Sequence, residues 1–191
     1  MNVLNNYRTC LRFLLLVLGA FVVGGQQARA AACEIRLGQS EVDFGQIQHP
    51  GVNPPLDDQR LYLAGKRYVS LNVSCPTSSR LLLMLRGDSL GEHFRFSAQS
   101  RLKVRLSDAV LDGRAVDLAL VRAVGEVPGQ PASAIDVAPG SLIVPVSAGL
   151  AAEGASLSLQ VEVSPGVAME EFRGGRGGTL EGSLNFDVRE Y

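Results

Sequence analysis

The stretch VSLNVSC (residues 69–75) carries the clearest fold signal in this chain. Apolar Val69, Leu71 and Val73 alternate with small polar side chains, and the stretch ends at Cys75. Successive side chains of a β-strand point to opposite faces, so this pattern predicts a strand with one face in a core and one in water. The apolar run LLLML (residues 81–85) follows after PTSS and predicts a central core strand.

The same period of two recurs along the rest of the chain. Alternating segments begin at Cys33 and return near residues 102–106, 116–120, 142–146, 157–163 and 180–188. Turn signals separate them, and Asp112-Gly113 is the strongest hairpin signal. Only residues 148–155 and 167–173 favour a turn or two of helix. We therefore predict one all-β domain over residues 31–191, built as an antiparallel sandwich or barrel.

Residues 1–30 have the layout of a secretory signal peptide. Arg8 and Arg12 form a basic region, FLLLVLGAFVV (residues 13–23) an apolar region, and Ala28-Arg29-Ala30 a cleavage signal. The apolar run is too short to cross a bilayer comfortably. We expect cleavage after Ala30 and export of residues 31–191.

Export determines how the cysteines and the charge are interpreted. Removal of residues 1–30 takes away Cys10 and three Arg, leaving Cys33, Cys75 and a net charge of −4. An even pair of cysteines in an oxidising compartment predicts one disulfide. The weakly acidic balance gives no sign of a nucleic-acid partner.

RGDSL (residues 86–90) has two possible functional interpretations. Arg86-Gly87-Asp88 is the tripeptide that integrins bind on a loop. Gly87-Asp88-Ser89-Leu90 is the stretch that names a family of serine esterases. A third interpretation is structural: the strand LLLML ends here in a turn, because Gly, Asp and Ser favour turns.

The esterase interpretation lacks its partner residues. Such an enzyme needs a serine at a strand-to-helix turn and a late histidine, but no histidine follows His93. Cys33, Cys75, His49 and His93 have no metal-ligand spacing. We therefore predict a protein without catalysis, metal or other cofactor, in which the Arg-Gly-Asp tripeptide is a weak candidate for adhesion.

The order of the remaining motifs resembles a family. Cys33 opens the first strand, VDFGQI (residues 42–47) follows, Cys75 ends a strand about forty residues later, and the chain finishes on GTLEGSLNFDVREY (residues 178–191). This arrangement is similar to that of subunits of the chaperone–usher fimbriae of Gram-negative bacteria.

The resemblance implies an incomplete immunoglobulin-like β-sandwich that lacks its last strand. Its apolar groove would be covered by a strand from a periplasmic chaperone and later by one from a neighbouring subunit, with an outer-membrane usher directing assembly. The protein would then be a structural or adhesive subunit at the cell surface, with a host or surface receptor as a further partner. The residues expected to border the groove and contact the chaperone are Leu180, Leu184, Phe186, Val188 and Tyr191.

Two features depart from this family. Cleavage after Ala30 leaves only two residues before Cys33, so no strand could be donated, and we expect a subunit at the fimbrial tip; a start near Phe21 or Gly24 would supply a donor strand instead. Tyr191 is out of phase with Phe186 and Val188. The alternative function is a self-contained secreted β-sandwich that binds carbohydrate or protein, for which residues 48–60 and 123–139 would be the first surfaces to test.

Overall fold

The computed structural model describes residues 32–49, 51, 56–57, 60–173 and 179–191. The predicted signal peptide and the GGRGG segment (residues 174–178) lie outside the described residues. The described part of the chain consists of β-strands joined by turns and loops, with one short 3₁₀ helix (Met169–Phe172), so the all-β prediction is confirmed. The strands are β1 (Glu34–Leu37), β2 (Leu61–Leu63), β3 (Arg67–Gly87), β4 (Ser89–Leu90), β5 (His93–Arg95), β6 (Arg101–Leu111), β7 (Arg114–Ala115), β8 (Asp117–Val121), β9 (Ala134–Val137), β10 (Leu142–Ser147), β11 (Leu150–Ala151), β12 (Glu153–Ala168) and β13 (Leu184–Glu190).

Strand β3 organises the sheet, in which all pairings are antiparallel. Its N-terminal half pairs with β1 and β12, and its C-terminal half pairs with β13 and β10. In the first group of strands, β6 pairs with the other edge of β12. In the second group, β8 pairs with the other edge of β10. The long strand therefore belongs to both groups of strands.

The prediction that a strand ends at Cys75 is wrong, because β3 runs on to Gly87. The register against β12 shifts between Gly154 and Ser156, opposite residues 75–78 of β3. Pro76 lies in this irregular stretch. Proline has no backbone N–H, and a regular ladder hydrogen bond to β12 is not required of it here. The backbone thus stays extended through a segment whose composition indicates a turn.

The two groups of strands enclose one main core, which makes the fold sandwich-like. Leu71 and Val73 from the first half of β3 pack in the same cluster as Leu81, Leu83 and Leu85 from the second half. The run LLLML is apolar throughout because Leu82 faces the other way, into a second cluster with Ala119, Val121, Val144 and Val146. A strand buried on both faces has no need to alternate.

A disulfide joins Cys33 and Cys75, as predicted, across a sequence separation of 42 residues. It links the residue just before β1 to the middle of β3. The bond therefore fixes β1 at the position where β3 passes from one group of strands to the other.

Two-residue turns explain one correct and one incorrect prediction. Asp112 and Gly113 both have positive φ (47° and 78°) and join β6 to β7 in a hairpin, as expected. Ala148 and Gly149 likewise have positive φ (50° and 81°) and join β10 to β11, so residues 148–155 are not helical. Residues 167–173 contain the short 3₁₀ helix, and residues 123–139 contain β9.

Candidate functional site

A large cleft opens on one side of the main core. One wall consists of residues 37–49, which we call the N-terminal wall, and the other consists of residues 179–186, which we call the C-terminal wall. The cleft has a volume of about 1450 Å³. Pockets for drug-sized ligands measure roughly 300–1,000 Å³, so this cleft has room for an extended polypeptide segment.

The floor of the cleft is the inner face of the first group of strands. Val69 of β3, Leu102 of β6 and Val161, Val163 and Val167 of β12 line it. All five side chains are buried and belong to the main core cluster. Alternation places them on the inner face, because successive residues of each strand point to opposite sides.

The walls present further apolar side chains above this floor. Val42, Phe44 and Ile47 of the N-terminal wall are half-buried and pack on the main core. The Phe44 ring meets Phe96 edge to face with centroids 6.2 Å apart. Phe172 closes one end of the cleft and has edge contacts with His49 (5.4 Å) and Tyr62 (6.2 Å).

Both walls leave backbone groups available for a further strand. Among the described residues β13 pairs with β3 alone, and residues 38–49 belong to no strand. The Gly38 amide donates to the Ser70 carbonyl at 2.8 Å, after which the N-terminal wall leaves the sheet. Alternate N–H and C=O groups of an edge strand point away from its partner, so β13 offers a template for strand addition.

The C-terminal wall approaches the sheet very closely at two glycines. A Cβ on Gly182 would lie 2.7 Å from the Arg95 carbonyl oxygen, and one on Gly87 would lie 2.6 Å from the Ser183 oxygen. Only glycine allows such close backbone contact. Gly182 therefore lies against β5, and Ser183 against β3, just before β13 begins.

The sequence-predicted groove residues separate into two sets. Leu180, Leu184 and Phe186 line the cleft. Val188 packs on the main core beside it. Tyr191 lies on the opposite face and packs on the second cluster, because β13 continues in register with β3 up to Glu190 without a bulge. The strand also starts at Leu184, so Leu180 belongs to the extended wall before it and not to β13.

Sequence reasoning missed the N-terminal wall. VDFGQI was noted as a motif, but Val42, Phe44 and Ile47 were given no place in the groove. They are spaced two and three residues apart, which fits neither a strand nor a helix, so no periodic signal was available. Phe96 and Phe172 were missed for the same reason, because each lies outside the regular strands.

Four of the five residues of RGDSL lie in strands: Arg86 and Gly87 end β3, and Ser89 and Leu90 form β4. An Arg86 guanidinium nitrogen lies 2.5 Å from Asp187 Oδ2, and the Asp88 carbonyl accepts a hydrogen bond from the Arg95 amide at 2.7 Å. Ser89 and His93 lie in the hairpin formed by β4 and β5, so a strand-to-helix turn does not follow Ser89. The expectation that Arg86-Gly87-Asp88 could lie on a projecting turn is thus wrong for Arg86 and Gly87, which are in β3.

The ion pair between Lys66 and Glu162 lies outside the cleft. Lys66 Nζ is 2.6 Å from Glu162 Oε1. The hydrogen bond from Lys66 holds the pKa of Glu162 below its ordinary value, and the same contact raises the pKa of Lys66.

Groups of His, Cys, Asp and Glu suited to a metal ion are absent from the described residues. Nor do those residues include a helix long and apolar enough to cross a membrane.

The cleft therefore joins an apolar floor, two walls and an open strand edge. That combination can bind an extended segment through both backbone hydrogen bonds and apolar side chains. No protein-family model and no curated protein sequence matches this chain.

Proposed function

We propose that this protein is a fimbrial subunit of the chaperone–usher type, and that its cleft accepts a β-strand from another polypeptide. A periplasmic chaperone supplies the strand first, and a neighbouring subunit replaces it during assembly at an outer-membrane usher. The observation that carries the proposal is the apolar cleft between residues 37–49 and 179–186, with the open edge of β13 along it.

The physical argument is that one strand would remove two unfavourable features at once. Exposed apolar side chains favour association, and an unpaired strand edge favours pairing with any other chain. A strand placed beside β13 would cover Leu184 and Phe186 and would bond to the free backbone groups. In this proposal the fold is an incomplete immunoglobulin-like sandwich, and the cleft is the place of its missing strand.

The disulfide supports the proposed route through the periplasm. A bond between Cys33 and Cys75 is expected to persist only in an oxidising compartment. Together with the predicted signal peptide, it favours export to the cell surface. The protein is proposed to act there as a structural or adhesive subunit without catalysis.

We further propose a position at the tip of the fimbria. Cleavage after Ala30 leaves Ala31 and Ala32 before Cys33, which is too short a segment to fill another subunit's cleft. Such a subunit can accept a strand without donating one. Mass spectrometry of the exported protein tests this directly: a first residue of Ala31 supports the tip position, and one near Phe21 or Gly24 contradicts it.

Periplasmic expression with and without a chaperone tests the main proposal. The test uses the chaperone that this proposal expects to be encoded beside the protein's gene. We expect degradation or aggregation without it and a soluble one-to-one complex with it. Phe186→Asp should abolish the complex, whereas Asn185→Asp, on the opposite face of β13, should leave it intact. Accumulation of a stable monomer without any chaperone would overturn the proposal and favour a self-contained module that binds carbohydrate or protein.

A further inference from the structure

The rim of the cleft is acidic. Five carboxylates line it: Glu41 and Asp43 on the N-terminal wall, Glu170 and Glu171 in the 3₁₀ helix, and Glu181 on the C-terminal wall. Within the described lining, Lys and Arg are absent and His49 is the other titratable side chain. Apart from His49, the titratable side chains of the described lining are therefore all acidic.

None of these carboxylates forms an ion pair with a cation of the described residues. The ion pairs there involve other carboxylates, those of Glu34, Asp57, Asp136, Glu153, Glu162 and Asp187. Glu171 accepts hydrogen bonds from the Ser97 hydroxyl and the Gln99 amide, and Asp43 accepts one from the Gly45 amide. The nearby Arg67 guanidinium lies over the Phe44 ring, 5.6 Å from its centroid.

The acidic groups gather at one end of the cleft. Glu170 and Glu171 follow the end of β12 by two and three residues, and Glu181 precedes β13 by three residues. Asp43 adjoins Phe44, which packs on Phe96, and Gly182 lies against the Arg95–Phe96 backbone. Phe96 thus brings Asp43 and Glu181 near the start of β13, and the hydrogen bond from Ser97 brings Glu171 to the same place, so three of the five carboxylates lie beside the first residues of that strand.

We propose that the strand accepted by this cleft carries lysine or arginine at the positions that pass the start of β13. These cationic residues alternate with the apolar side chains by which the incoming strand contacts the floor. This inference rests on the proposed function and adds the chemistry of the partner to it. A cationic side chain would relieve the repulsion among the carboxylates, whereas an acidic one would add to it. Because a shift of one residue reverses the two faces of a strand, the same charge would also fix the register of the incoming strand.

A strand fused to the full-length protein tests the proposal. The chain is extended beyond Tyr191 by a flexible Gly/Ser linker and a strand of about seven residues, which matches the length of β13. Three versions of the fused strand are compared. They differ only at the positions that face away from the floor beside the start of β13, where they carry Lys, Gln or Glu. A fourth version carries the linker alone.

The readout is the thermal midpoint of the soluble protein at low and high salt. We expect the order Lys, Gln, Glu from highest to lowest midpoint, with steps of about 0.5–4 °C for each exposed pair. The steps should shrink at about 1 M salt, where the Debye length falls to about 3 Å. The combined variant Glu41→Gln, Glu170→Gln, Glu181→Gln should remove the order, and the distant Glu153→Gln should preserve it.

The outcomes separate the two proposals. Equal stabilisation by all three strands would leave strand acceptance intact and overturn the inference about charge. A linker-alone version that is as soluble and as heat-stable as the three strand versions would overturn strand acceptance itself. The highest midpoint with the Glu strand would contradict the charge argument outright.

Discussion

Asp112 shows how much one turn residue can contribute to this fold. It has a positive φ of 47°, which Asp tolerates better than most residues with a Cβ. Its carboxylate accepts hydrogen bonds from the Ala155 and Ser156 amides at 2.8–3.2 Å. The adjacent Gly154 has no room for a side chain, since a Cβ would lie 2.6 Å from Leu111 Cδ1. The hairpin turn is thereby attached to the start of β12.

Replacement of Asp112 tests this attachment. Asp112→Ala removes the acceptor of two backbone amides and leaves alanine in a left-handed conformation, so we expect a loss of about 2 kcal/mol in the free energy of unfolding. Asp112→Asn keeps an acceptor oxygen and tolerates the conformation, and we expect less than half that loss. Urea unfolding measures both, in the version that carries the fused Gln strand and therefore stays soluble without a chaperone; that version serves for every unfolding measurement. Equal losses would show that the carboxylate contacts are not what holds the turn.

The strand β13 has two faces with different roles. Leu184, Phe186 and Val188 point toward the main core and the cleft, whereas Asn185, Asp187 and Arg189 point away. Asp187 pairs with Arg86 of β3 across the strands. Tyr191 follows the outward set, which explains why it packs on the second core cluster.

Substitutions on the two faces of β13 should differ in their effects. Phe186→Ser removes a half-buried apolar side chain from the cleft, and we expect it to lower the free energy of unfolding by about 1–2 kcal/mol. It should also weaken binding of a chaperone strand. Asn185→Ser, with its side chain in solvent, should change neither quantity measurably. Urea unfolding and co-purification with the chaperone give the two readouts, and equal effects of both variants would contradict this assignment of faces.

Strand β12 carries Glu162, a carboxylate whose protonation should affect stability. Glu162 keeps a depressed pKa mainly because Lys66 donates a hydrogen bond to it. A carboxyl group with a lower pKa in the folded state stabilises that state above its unfolded pKa of about 4.5. The stabilisation is lost as the pH falls from about 4.5 through the folded value.

The corresponding test compares the native protein with Glu162→Gln across pH. We expect the native protein to unfold at higher urea concentration near neutral pH, and the difference to disappear on the acid side. Glu153→Gln is the control, because both partners in its ion pair with Arg80 are more than half exposed. Such a surface pair contributes little, so that variant should behave like the native protein. A difference that persists at low pH would contradict the role assigned to Glu162.

At the scale of the whole molecule, the long strand and the disulfide hold the two groups of strands together. β3 contributes to both groups, and Cys75 lies where it passes from one to the other. The bond to Cys33 places β1 against β3 and thereby sets the start of the N-terminal wall. The cleft depends on this placement, because its two walls are far apart in the sequence.

Removal of the disulfide should therefore destabilise the whole domain. Closing a loop of this length restricts the unfolded chain and contributes about 4 kcal/mol in the chain-entropy model. We expect the variant with both Cys33→Ser and Cys75→Ser to lose stability of that order and to yield less chaperone complex. Thermal unfolding of the variant, and of the native protein with and without a reducing agent, measures the effect. An unchanged midpoint would show that β1 holds its place without the bond.

The cleft marks the limit of prediction from sequence. Leu184 and Phe186 could be placed by their alternation, and the Asp112-Gly113 hairpin by its turn residues. Val42, Phe44 and Ile47 could not, because their irregular spacing acquires meaning only when the segment lies opposite residues 179–186. Tyr191 could be seen to be out of phase, but only the register of β13 shows which cluster it joins.

The amino-acid sequence by itself determined the all-β class, the disulfide partners and the inward faces of the strands, since alternation, turn chemistry and cysteine number are local properties. The tertiary structure decided that β3 runs unbroken past Cys75, that Arg86 is paired within the sheet, and that two distant segments form the walls of one cleft. These features depend on which strands become neighbours. That choice comes from long-range packing and backbone pairing, for which a local sequence pattern carries no signal.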